Sequence, residues 1–220
     1  MKQVHFLHIG KCAGTYVKAI AQKINAAPLG VQIVTHPHHV ILASLPPGAP
    51  YFFSIRRPET RFVSGFYSRK RKGQPRYNSE WTPQERLAFT AFEQANDLAE
   101  ALFADGEKGR TAFAAMKSIE HLAMAQSDYV RGVGFFLDVR PPLAIVRQEH
   151  FEADMALLCR RLGIGAPPSV PTDAVTAHRN DYAGSAPLSE AARANLRLWY
   201  AQDEAFYRIC SDWIDAGRSR

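Results

Sequence analysis

Apolar and β-branched residues run almost unbroken over 4–9, stop at Gly10, and resume after Thr15 with Val17, Ile20, Ala21 and Ile24. This change from a continuous buried run to an i, i+3, i+4, i+7 stripe predicts a strand, a tight loop and a helix to about Ala26. Pro28-Leu29-Gly30 ends that helix, and 31–34 reads as a short second strand. After the turn-forming connector 45–50, Tyr51–Ile55 reads as a third, buried strand. A helix is expected from Pro58, with Phe62, Val63, Phe66 and Tyr67 facing inward. Thr82-Pro83-Gln84-Glu85 opens another helical stretch, whose apolar positions are Leu87, Phe89, Phe92 and Leu98. Helical character returns from Thr111 to Met124. A further core strand spans 143–146, followed by a helix with Met155, Leu157, Leu158 and Leu162. One last helix opens at Leu188-Ser189-Glu190 and packs through Trp199, Tyr200, Phe206, Tyr207 and Trp213.

Strands alternating with helices imply an α/β fold, a central and mainly parallel sheet flanked by helices. A length of 220 residues suits one sizeable core, so a single domain over 1–220 is the expectation. Composition adds two constraints. The net charge of +6 suits an anionic ligand. The basic run from Arg69 to Arg76 lacks regular aromatic interleaving, so it reads as a solvated surface or an anion-attracting rim rather than a nucleic-acid stripe. The three cysteines are odd in number and far apart, which argues against a disulfide framework and for a reducing compartment. A core strand close to Met1 and the lack of a long apolar run lead to the expectation of a cytoplasmic chain without stable membrane insertion.

The loop between the first strand and helix carries the chemistry. Gly10-Lys11-Cys12-Ala13-Gly14-Thr15 joins a strand to a helix N-terminus, where first-turn N–H groups and the dipole favour an anion. Small residues let backbone approach that anion, Lys11 adds a mobile positive charge, and Thr15 offers a hydroxyl. The order differs from the nucleotide-triphosphate loop G-x-x-x-x-G-K-[ST], because the lysine precedes the glycine.

The stretch resembles instead the phosphosulfate loop of the sulfotransferases that use 3′-phosphoadenosine 5′-phosphosulfate (PAPS), in particular the carbohydrate branch with H-I-P-K-T-G-G-T. His8, Ile9, Lys11, Gly14 and Thr15 match that pattern. A second block, Arg56-Arg57-Pro58-Glu59-Thr60-Arg61-Phe62-Val63-Ser64, is similar to the family's R-D-P-x-x-R-x-x-S, with Arg57 where aspartate is usual. The resemblance implies a three-layer P-loop-like fold. It also implies that Lys11 and the stretch Cys12, Ala13, Gly14, Thr15 and Tyr16 hold the phosphosulfate, while Arg56 and Ser64 hold the 3′-phosphate. Arg179, in a late loop similar to one that closes over the nucleotide, is a further donor contact.

Transfer to a hydroxyl also needs a base, and histidine has the suitable unperturbed pKa. His38, within Thr35-His36-Pro37-His38-His39 at the end of the second strand, is the first candidate and His36 the second. Glu149, in Arg147-Gln148-Glu149-His150, is a carboxylate alternative. A small-molecule or saccharide acceptor is expected, with PAPS as co-substrate and no metal. Two other readings stay open: a nucleoside or sugar kinase, and a non-catalytic anion or nucleotide binder.

Overall fold

The computed structural model describes residues 1–75, 77–169 and 185–218. In chain order the elements are β1 (Lys2–Leu7), α1 (Gly14–Ala26), β2 (Val31–Thr35), β3 (Tyr51–Ile55), α2 (Pro58–Lys70), α3 (Pro83–Ala91), α4 (Ala95–Ala101), α5 (Gly106–Ser118), α6 (Phe136–Val139), β4 (Ala144–Arg147), α7 (Phe151–Leu162), α8 (Glu190–Trp199) and α9 (Ala201–Arg218). The single stretch expected over 1–220 groups into two compact units, each with a core of its own. The first holds the described residues of Met1–Arg57, Gln126–His178 and Ala205–Arg220; the second holds those of Pro58–Ala125 and Arg179–Glu204.

The first unit is the α/β body. Its four strands are all parallel, in the order β2-β1-β3-β4. Parallel strands are covered on both faces and so read as apolar runs, and every residue of β3 is buried. On one face Val4, Phe6, Phe52, Ala144 and Val146 pack with Val17, Ile20 and Ile24 of α1 and Met155, Leu158 and Leu162 of α7. Pleat alternation sends Phe53 to the other face, where its ring meets Phe136 of α6 at 5.8 Å and Phe206 of α9 at 6.2 Å. Helix, sheet and helix thus form three layers. Burial of each such aromatic or aliphatic side chain contributes about 1.5–3 kcal/mol.

Two arginines brace this body. Arg147, ending β4, donates from Nε and its backbone N–H to Asp154 Oδ2 at 3.0 and 2.9 Å, and reaches Asp215 of α9 at 3.1 Å. Arg140 donates to the carbonyls of Leu42, Pro46 and Ala49, and its guanidinium lies 5.4 Å from the Tyr51 ring. The proline-rich connector is thereby held beside β3.

β1 ends at Leu7 rather than running to Ile9, because the Ile9 N–H folds back onto the Leu7 carbonyl at 3.2 Å.

The second unit is helical around Phe62, Phe66, Phe89, Leu98, Met116 and Tyr200. Thr82 caps α3 in a full capping box with Glu85. Within the basic run, Arg69 departs from the expected surface role, while Arg71 is exposed and Lys70 and Lys72 are half-buried. Arg69 is fully buried and grips the Glu85 carboxylate through Nε and Nη2, each at 2.7 Å. Glu85 also accepts the Glu120 N–H, which helps end α5 at Ser118 instead of carrying it to Met124. The expected single last helix is two, because Tyr200 leaves helical backbone at ψ 24°. Leu87, one of the apolar positions read for this helical stretch, is exposed on a groove of about 610 Å³ between α3 and α5, and none of the expected site residues borders that groove.

Candidate functional site

In the order β2-β1-β3-β4 the connection after β1 runs to β2 on one side and the connection after β3 runs to β4 on the other, so the switch of direction falls between β1 and β3. Open parallel sheets bind ligands outside the C-terminal ends of strands at such a switch. The loop after β1 carries Lys11, and the residue that follows β3 is Arg56. Arg56 Nη1 approaches the Lys11 carbonyl at 3.5 Å. Two blocks far apart in the chain meet there.

The β1 loop is shaped for an anion by its backbone. Lys11 and Ala13 hold left-handed φ values of 67° and 61°, on either side of Cys12. Neither is glycine, and such a conformation costs each about 1 kcal/mol. Alternation of this kind turns consecutive N–H groups toward one concavity. Ala13, at the N-cap of α1, has no side-chain oxygen to offer the first turn, and that turn contains no acidic residue to offset the dipole. Tyr16 is held by contacts within the chain. Its N–H bonds the Ala13 carbonyl at 3.0 Å, and its ring packs on Phe151.

Gln126, which no sequence motif singled out, ties the loops together. Its Oε1 accepts from the Arg56 N–H at 3.0 Å and from the Cys12 thiol at 3.2 Å, while Nε2 donates to the Arg56 carbonyl at 2.8 Å. Both Gln126 and Cys12 are completely buried. Cys12 is therefore a hydrogen-bonding part of the loop as well as a small filler. Gln126 is distant in sequence from both partners, and a lone glutamine between helical segments carries no signature.

Four of the histidines form two pairs. His8 is buried beneath the start of α1: a Cβ placed on Gly14 would fall 1.9 Å from its Nε2. Its ring also meets His38, with centroids 3.8 Å apart. His38 thus stands one imidazole away from the first residue of α1. His36 goes elsewhere, sharing a 2.9 Å hydrogen bond between its Nε2 and His5 Nδ1. Burial lowers the pKa of both rings of this second pair, helped at His5 by Arg140 and at His36 by His5.

Glu149 has a structural use. Its carboxylate accepts the Arg57 N–H at 2.8 Å and the Tyr207 hydroxyl at 3.0 Å, anchoring the residue beside Arg56. Burial and that carboxylate push the Tyr207 phenol up to about 12, so it remains a donor. Ser64 is a buried residue of α2 in the second unit. Arg179 lies outside the described residues.

Searched against family models, curated proteins and solved structures, the chain matches none. Among the described residues, no group of three or more His, Cys, Asp or Glu is arranged to hold a metal ion, and no helix is long and apolar enough to cross a membrane.

Proposed function

We propose that this chain transfers a sulfuryl group from PAPS to a hydroxyl of a saccharide or another small acceptor. The observation that carries the reading is the approach of Arg56 to Lys11 across 45 residues of sequence, at the switch point of a parallel sheet. The two blocks resemble those that hold opposite ends of one donor nucleotide, and their approach in space supports this reading.

In this reading the backbone from Cys12 to Thr15 cradles the 5′-phosphosulfate, and Arg56 takes the 3′-phosphate. Lys11 neutralises the oxygen bridging phosphorus and sulfur as its bond to sulfur breaks. The acceptor oxygen bonds to sulfur and gives its proton to His38. Positioning and fixed charge supply the rate, as in phosphoryl transfer, and the scheme needs no metal. Ser64 and Arg179 join the donor contacts on the strength of the sequence resemblance. Three buried cysteine thiols accord with a reducing cytoplasm.

Calorimetric titration with adenosine 3′,5′-bisphosphate tests the proposal. Saturable binding is expected without added metal, weakened about tenfold or more in Arg56→Ala. Preference for ATP with magnesium would replace the reading with a kinase. Binding no tighter than that of inorganic phosphate would leave a non-catalytic anion site.

A further inference from the structure

We infer that Gln126 is a positioning residue that sets the register of Arg56 against the Lys11 loop, so that the two anion-binding ends act as one site. The inference rests on the donor-nucleotide reading for its ligand, but its geometry stands on its own. A primary amide is the one common side-chain group that can accept and donate from adjacent atoms of a planar fork. Here the fork meets both the N–H and the carbonyl of Arg56, at 3.0 and 2.8 Å, as a neighbouring strand would. The remaining lone pair of Oε1 takes the Cys12 thiol at 3.2 Å, one residue after Lys11. Complete burial removes competing water, so each bond constrains direction as well as distance.

The consequence is a shared reference point. Lys11 and Arg56 are long side chains that would otherwise be placed by two independent loops. With Gln126 between them, the backbone of Arg56 and the centre of the Lys11 loop are held to the same amide. A nucleotide with a fixed separation of its phosphates then meets both cations without first ordering either loop, which is how preorganisation raises affinity.

The test compares wild type, Gln126→Met and Gln126→Glu. Methionine keeps the volume and loses the fork. Glutamate keeps it only when protonated, because the neutral acid can donate to the Arg56 carbonyl and the carboxylate cannot. Adenosine 3′,5′-bisphosphate affinity is expected to fall about tenfold in Gln126→Met. In Gln126→Glu it is expected to approach wild type at about pH 5 and to drop at about pH 8, relative to wild type at the same pH. Iodoacetamide should alkylate Cys12, located by peptide mass, faster in Gln126→Met than in wild type.

Wild-type affinity in Gln126→Met, or a pH-independent ratio in Gln126→Glu, overturns the inference. So does loss of binding in Gln126→Glu that tracks loss of its circular dichroism, because the residue is then only structural. If wild type itself binds no nucleotide, the donor reading falls, and alkylation alone decides: a rate unchanged in Gln126→Met ends the positioning role as well.

Discussion

His8 Nε2 occupies the space where Gly14 would carry a side chain, 1.9 Å from an ideal Cβ. Glycine is required here by contact, not by backbone angle. Gly14→Ala should push the imidazole away from the helix start and disturb its contact with His38, costing about 1–3 kcal/mol of stability. Nucleotide binding should fall with it. Urea denaturation and calorimetry on Gly14→Ala check both, and a variant with wild-type stability and affinity would mean that His8 moves aside freely.

The base assignment separates His38 from Glu149. His38→Ala is expected to lose about 10²–10⁴ in turnover with nucleotide affinity kept. Glu149→Gln retains an acceptor for the Arg57 N–H and should lose far less. Initial rates with labelled donor distinguish them; the opposite ranking would transfer the proton to the carboxylate.

Stability should depend on pH through the His5–His36 pair. Both imidazoles are held below their ordinary 6.5, so the folded chain binds fewer protons than the unfolded one. Their contribution is present above about pH 6.5 and is lost as pH falls through the lowered values. Thermal melts should therefore drop more steeply from about pH 7 to about pH 5 in wild type than in His36→Gln. Equal slopes would show that the pair is not the source.

Arg69 and Glu85 form a buried pair whose halves cannot be removed singly without cost. Arg69→Met should destabilise by about 3–5 kcal/mol, because it leaves the Glu85 carboxylate in the interior without its main counter-charge. Replacing both by apolar residues should recover part of that loss. A denaturation series that gives additive effects would show that the two act independently.

Much of the first unit was legible because its signals are local. Unbroken apolar runs marked β1, β3 and β4, and a change to helical spacing after Thr15 marked α1. The loop was legible too, since Gly10, Lys11 and Gly14 lie within a few residues of one another. Other features depend on partners that local patterns do not name. Arg69 sits in a run of like charges whose ordinary place is water, and only Glu85, brought in by the capped start of α3, makes its burial tolerable. Tyr200 interrupts an amphipathic stripe that otherwise continues from α8 into α9.

For the candidate site, the sequence alone determined which groups are available: two strand-to-helix junctions bearing Lys11 and Arg56, and imidazoles at the end of the second strand. The tertiary structure decided which of them meet. Strand order set Lys11 beside Arg56, the pairing of β1 with β2 put His36 onto His5 and His38 onto His8, and an unmarked glutamine became the link between two loops. The reason is that residue type and spacing specify chemistry and local backbone, whereas contact between distant segments follows from how the sheet is ordered and packed.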